Sequence, residues 1–425
     1  MKTFSLKDEN GKLYYGWVIV ILSALITGLV YNGIVSTTGV MMLPVITDMA
    51  LNPAGFSLYL TIMSVTGILT LLVVQRFFTK KNIKKIMLFA GLCGIISFVG
   101  FAMSKSLVMF YVFSVPQGFC FTAMTMTPCQ LLVSNWFGAK ARGRAISLML
   151  TGMTLVYVGE LNVLQKVVSA YGWRAGYYLL GAGIAIAVVC IFLLKWSPED
   201  LGIKRIGDTE AEKLGDHQEG NGLSAGVDFG TAIKKPITWL VFISATFAVI
   251  ASSSILQHAI PTMVYGGYSP EKSTAVISLL STIMLFTGPI IGIVMDKAPL
   301  RVAAFGSALC FTGSCVGLSL ISVNPTIGVA IFSCLYVFGV ASINIISPVI
   351  ISFLFGDKNL NKLLSWLNMF IGIGGALGAV GVSTLLVKCG SYQIPWLVMA
   401  FFLLVCSIIR FFATSKKRQF NPNIN

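Results

Sequence analysis

Charge is scarce in this chain. Asp, Glu, Lys and Arg make up 11% of its 425 residues, against 56% hydrophobic residues. A soluble domain carries roughly a quarter charged residues, so a soluble fold is excluded. Acids number 15 against 30 Lys and Arg, and histidine occurs twice, as His217 and His258. There is no His-Glu-x-x-His and no Cys/His cluster with metal-ligand spacing. A membrane-embedded enzyme needs such a set, so the chain is not expected to be an enzyme, and neither a metal nor a cofactor is expected. All nine cysteines except Cys389 fall inside apolar runs and read as small packing residues. A removable signal peptide is also not expected, because the first run lacks a small-residue cleavage site and opens a whole array of runs.

What the chain has instead is length of apolar sequence. A spanning helix needs roughly 20 apolar residues. Runs of that kind are predicted at 16–42, 56–78, 84–103, 107–135, 144–169, 174–195, 237–265, 273–295, 301–322, 326–354, 362–387 and 393–413. The uncharged stretch from Val302 to Gly356 is too long for one helix and turns at Asn324-Pro325. The expected fold is all-α and integral to the membrane, with twelve transmembrane helices.

The net charge of +15 is explained by where the cations lie. Alternate loops collect 25 of the 30 Lys and Arg; the opposite loops hold only Lys105, Lys166, Arg174, Lys272 and Lys388. By the positive-inside rule both termini face the cytoplasm, as in a multi-pass protein of the inner or plasma membrane. No nucleic-acid partner is expected; the lipid bilayer is.

One polar segment, residues 197–235, holds most of the acids and reads as a largely irregular cytoplasmic linker. It separates a six-helix half at 1–196 from another at 236–425. The halves echo each other. Phe137-Gly138-x-Lys140-x-x-x-Arg144-x-x-Ser147 returns 218 residues later as Phe355-Gly356-x-Lys358-x-x-x-Lys362-x-x-Ser365. Both copies lead into the fifth span of their half. The basic loop Lys80–Lys85 has a counterpart in Gly292-x-x-x-Asp296-Lys297-x-x-x-Arg301. Duplicated six-helix halves are a transporter plan, with the binding site near the membrane midplane.

On these residues the chain resembles the major facilitator superfamily over essentially its whole length. Gly292, Asp296, Lys297 and Arg301 resemble that family's helix 8–9 loop, a conformational element. The helix 2–3 copy departs from the pattern, with Thr79 and Asn82 where an acid and a glycine are usual. Tyr15-Gly16-Trp17, Trp136-Phe137, Arg142-Gly143-Arg144-Ala145, Gly172-Trp173-Arg174 and Pro198-Glu199-Asp200-Leu201-Gly202 are similar to the monocarboxylate and oxalate/formate exchanger branch. These are scaffold and loop motifs and do not read the substrate. Arg142 and Arg144 are expected in conformational-loop or headgroup contacts. The resemblance also implies that helices 1, 4, 7 and 10 line a central cavity.

Glu160 is the one acid inside the predicted spans. It lies about 15 residues into its helix, roughly 22 Å along it at 1.5 Å per residue. An intramembrane carboxyl is costly and is a functional candidate by default. It would bind a proton or substrate, or else act as interhelical glue with Asn162 and Gln165. His258 titrates near neutral pH and suits proton coupling or weak anion binding; the other reading is a wet residue near its helix end. Gln257 and the serines before it make the same stretch polar. Tyr31, Asn32, Gln117, Asn344 and Asn368 must find partners in lipid and are candidates for substrate contact or for helix pairing.

Carboxylate carriers of the resembled branch commonly hold a Lys or Arg in helix 1, 8 or 11, and none stands in those spans here. A dicarboxylate at the midplane would lack a countercharge, which argues against oxalate-type exchange. The leading expectation is a secondary active transporter working by alternating access. It moves a small organic solute, a monocarboxylate or related acid on the resemblance, coupled to protons. The alternative is an uptake or efflux carrier for a neutral or cationic molecule. The sequence implies no oligomeric state.

Overall fold

The computed structural model describes residues 14–203, 205–206, 227–341, 346–356 and 359–415. Among these, the secondary structure is helical apart from one isolated bridge, Phe137 to Ile206. Ten helices among the described residues are long and apolar enough to span a membrane.

The first span is built in pieces. α1 (Tyr15–Thr27) runs into a π-helical segment, Gly28–Ser36, and continues as α2 (Thr38–Asp48). Then come α3 (Pro53–Val74), α4 (Ile83–Ala102), α5 (Leu107–Met124), α6 (Met126–Trp136), α7 (Ala139–Tyr171) and α8 (Trp173–Leu193). The fourth span is broken at Thr125, which separates α5 from α6 at φ −102°, ψ −122°. After the short α9 (Phe229–Lys234) follow α10 (Pro236–Tyr265), α11 (Pro270–Lys297), α12 (Leu300–Leu320), α13 (Pro325–Ala341), α14 (Ser347–Phe355), α15 (Leu360–Cys389) and α16 (Gln393–Ala413). Irregular backbone at membrane depth survives only where protein or a polar cavity satisfies it. The first and fourth spans are therefore the places to look for a site.

Two compact units divide the chain. One holds residues 1–50 and 62–219, the other 51–61 and 220–425. The first eleven residues of this division's second unit thus come from the turn after α2 and the start of α3.

Small residues set the helix spacing. In the first unit, a Cβ at Gly28 would lie 2.7 Å from Val156, and one at Gly152 would lie 2.8 Å from Ala24. α1 and α7 therefore approach nearly backbone to backbone, the small-residue packing that replaces a hydrophobic driving force in lipid. In the second unit, Cβ atoms at Gly374 and Gly378 would each sit 2.7 Å from a carbonyl oxygen of α10, those of Thr246 and Ile250. Glycine at these two positions therefore allows α15 to pack closely on α10.

The motifs that carried the resemblance tie each unit together at its ends. The Tyr14 hydroxyl donates to the Trp136 carbonyl at 2.7 Å, and Trp136 Nε1 donates to Lys195 O at 3.0 Å. Asp200 Oδ2 accepts from the backbone of Trp196 and Ser197, Gly202 takes the left-handed φ of 66°, and Asp200 pairs with Lys80 at 2.5 Å. At the other end, Gly172 (φ 82°) turns the chain so that Trp173 Nε1 and Arg174 Nη1 both reach Asp48 Oδ2, at 2.9 and 3.1 Å.

The expected irregular linker is ordered at both described ends. Gly138 N donates to Ile206 O at 2.9 Å, and Val227 N donates to Phe355 O at 2.8 Å. The duplicated Phe-Gly loops thus each hold one end of the same segment. The remainder of that segment lies outside the described residues.

Candidate functional site

The candidates fall into one group in each unit. In the first, Glu160 on α7 faces the π-helical stretch of the first span. A Cβ at Gly33 would lie 3.0 Å from Glu160 Oε1 and 3.5 Å from Leu180. The bare glycine is what lets the carboxyl in. Glu160 Oε2 is sealed from solvent and has no hydrogen-bond partner among the described residues. π segments inside α-helices occur often at functional sites, and this one lies directly against the intramembrane acid.

Asn32, the neighbour of Gly33, is buried and committed. Its Nδ2 donates to Met153 O at 3.1 Å, and Ser36 Oγ donates to its Oδ1 at 3.1 Å. Tyr157 O–H donates to Ser36 O at 3.3 Å. These bonds staple the π segment to α7, so Asn32 holds the frame around Glu160 rather than presenting a free amide. Tyr31 is partly exposed and packs on Phe121 of α5 with ring centroids 5.4 Å apart. Gln117, one turn before Phe121, is buried, and its Oε1 has no partner among the described residues. Asn162 and Gln165 bond within α7, to Val158 O and Ser169 Oγ, so these bonds leave Glu160 aside.

In the second unit, Gln257 and His258 are buried on α10. Gln257 Nε2 donates to Ser57 Oγ at 3.0 Å; His258 Nε2 lies 2.9 Å from Ser383 Oγ, and its Nδ1 lies 3.5 Å from the Tyr392 hydroxyl. The reading of His258 as a wet residue near its helix end is therefore corrected: its relative exposure is zero. Asn368 is exposed on α15. Asn344 lies outside the described residues.

The loop residues divide by role. Arg301 Nε donates to Phe411 O at 3.1 Å, and its guanidinium stacks 3.6 Å from the Phe411 ring, tying α12 to α16. Gly292, Asp296 and Lys297 belong to the last turns of α11. Arg142 is partly buried and Arg144 exposed on the first turns of α7.

A family model described as Major Facilitator Superfamily matches residues 20–350. The chain belongs to this superfamily. Among solved structures, it is similar to a bacterial homologue of the human lysosomal transporter Spinster, inward-facing and unoccupied. Identity there is 16% over 96% of this chain and 99% of that one, with a TM-score of 0.75. The nucleoside transporter NupG is similar at 12% identity, 94% and 99% coverage and TM-score 0.72. A D-xylose-proton symporter follows at 15% identity, 93% and 96% coverage and TM-score 0.66. No curated protein matches. The superfamily member is thus a multi-pass membrane transporter of small solutes, not a catalytic enzyme.

Sequence reasoning missed four participants. Ser57, Ser383 and Tyr392 look ordinary in an apolar chain and matter only because distant helices bring them together. The fourth is Arg410, counted among the cytoplasmic-face cations above. In the transporter it is fully buried on α16, donating from Nη2 to Ser347 Oγ at 3.2 Å and from Nε to Ser244 Oγ at 3.5 Å. The second unit therefore holds one buried cation on its last span, outside spans 1, 8 and 11.

Proposed function

We propose that this transporter couples movement of a small organic solute to protons, with Glu160 as the proton carrier. The observation that carries this reading is the Glu160 carboxyl against Gly33 of the π segment, with Oε2 sealed and unpartnered. A carboxylate there is stable only when a cation, water or cargo reaches it. Its ionisation and the transporter's conformation are then linked, which is the requirement for coupling.

The cargo is proposed to be a monocarboxylate or related organic acid entering with its proton. The motifs of the exchanger branch support this class. A neutral solute is the second reading; it is favoured by Glu160 being the only acid in the predicted spans, and a proton symporter for D-xylose shares the fold. The split of 25 against 5 cations supports cytoplasmic termini.

The test is uptake into proteoliposomes with an imposed pH gradient, comparing labelled monocarboxylates, sugars, nucleosides and amines. Glu160→Gln is expected to abolish gradient-driven accumulation while leaving solute exchange across the membrane. Full accumulation by Glu160→Gln would sink the assignment.

A further inference from the structure

The last turn of α8 is held from two sides. Tyr15 O–H donates to Leu193 O at 2.8 Å, and Lys84 Nζ, on the first turn of α4, donates to Phe192 O at 3.4 Å. A cation at a helix C-terminus is favoured by the helix dipole. The second unit repeats the arrangement: Arg301, on the first turn of α12, donates to Phe411 O on the last turn of α16. Each cation is the second residue of its helix. There the likeness ends. The Arg301 guanidinium is also covered by the Phe411 ring, 3.6 Å away. Lys84 instead meets a second cation, because Lys195 lies close enough to repel it.

The acids of this edge do little to offset that repulsion. Asp200 acts on Lys84, but its carboxylate is already shared among Lys80 Nζ and the backbone N–H groups of Trp196 and Ser197. Glu199 is exposed, and so are Lys80, Lys81, Lys85 and Lys195. The edge therefore carries more cations than acids. Inward from this rim the surface turns apolar. α4 and α8 pack through glycine: a Cβ at Gly91 would strike Val188, and one at Gly94 would lie 2.7 Å from Ile184. Leu92, next to Gly91, and Val189 and Phe192 on α8 are each more than half exposed. They flank a close helix seam whose one end is the lysine rim.

We propose that this edge of α4 and α8 binds an anionic phospholipid, with its phosphate between the Lys84 and Lys195 ammonium groups and its acyl chains along the seam. Basic rims between membrane helices recognise anionic headgroups by their charge. An anion between two like charges removes their repulsion and accepts a charge-assisted hydrogen bond from each. A zwitterionic headgroup brings its own ammonium to the same place and loses much of that gain. In the second unit the Phe411 ring already occupies the face of the equivalent cation, so the preference belongs to the first unit. Occupancy of this site depends on neither Glu160 nor the cargo.

The full-length transporter, delipidated in detergent, would be titrated with phosphatidylglycerol and with phosphatidylcholine of the same acyl chains, and bound lipids counted by native mass spectrometry. The first phosphatidylglycerol is expected to bind at least tenfold tighter than phosphatidylcholine. Lys84→Gln/Lys195→Gln is expected to erase this preference. Lys234→Gln/Lys362→Gln removes the same charge from exposed positions of the second unit and should keep it. Equal binding of the two lipids by wild type, a preference that survives in Lys84→Gln/Lys195→Gln, or the same loss in Lys234→Gln/Lys362→Gln overturns the proposal. Excess inorganic phosphate should leave the bound phosphatidylglycerol in place; displacement would make this a site for soluble phosphate and overturns the proposal equally. Should Lys84→Gln/Lys195→Gln not fold, Lys195→Gln alone keeps the Lys84 bond to Phe192 O. It is expected to cut the preference at least threefold, and an unchanged preference there sinks the assignment.

Discussion

Adding one methyl group at Gly33 isolates the contact between the π segment and Glu160. The new Cβ would stand 3.0 Å from Glu160 Oε1 and 3.5 Å from Leu180. The first distance is a few tenths of an ångström too short for carbon against oxygen, and the second is ordinary contact. The flexible end of the glutamate would therefore move, at a cost of about 1 kcal/mol for a small off-rotamer shift. Replacing a helical glycine by alanine returns roughly 0.5–1 kcal/mol of backbone entropy. The two nearly cancel, so Gly33→Ala should melt within about 2 °C of wild type. Transport should not cancel. Displacing the carboxyl from its seat should raise the barrier of the proton-coupled step by about 1.4 kcal/mol, a tenfold loss of gradient-driven uptake. Proteoliposome uptake and thermal unfolding of the same preparation give both numbers. Introduced into Glu160→Gln, the same substitution should cause no further loss in exchange rate. Wild-type uptake with an unchanged pH profile would refute the reasoning. So would a large drop in melting temperature, which would make Gly33 a packing residue only.

Three other outcomes follow from named contacts. Arg410→Ala removes a fully buried side chain and its hydrogen bonds to Ser244 and Ser347; by analogy with other large-to-small core changes it should cost about 2–4 kcal/mol, read as lost thermal stability in detergent. Ala50→Gly relieves the positive φ and should stabilise the protein by about 0.5–1 kcal/mol, checked by the same melting assay. Hydrogen bonds from Trp173 and Arg174 hold the Asp48 carboxyl below its ordinary value, so its contribution to stability is present above about pH 4, its unfolded range, and is lost as pH falls through the lower folded value. Melting from pH 7 downward should show wild type losing its advantage over Asp48→Asn only below about pH 4; an advantage already lost between about pH 7 and pH 5 would refute the linkage.

The spans were legible because lipid demands long apolar helices, and few other folds offer runs such as 393–413. Their internal breaks were not legible. Gly28, Gly33 and Ser36 fit close helix packing as well as they fit a π segment, and Thr125 carries no turn signal at all. Glu160 stood out because a lone acid in an apolar run has few structural explanations. Arg410 did not, because a cation near the end of a span usually snorkels to the headgroups; only the position of Ser244 and Ser347 on other helices reveals that it turns inward. Asn32 is the converse case. Its burial was foreseeable, but its partner, the backbone of Met153, depends on how closely α1 and α7 approach.

Glu160 sits against the bare backbone of Gly33, so its charge state is sensitive to anything that enters beside the π segment. A cargo that binds one protonation state better shifts the protonation equilibrium by the same free energy, which is what coupling requires. Loss of Glu160 should therefore uncouple uptake from the pH gradient while solute exchange persists; a Glu160→Gln protein that loses exchange together with accumulation would make the residue structural rather than coupling.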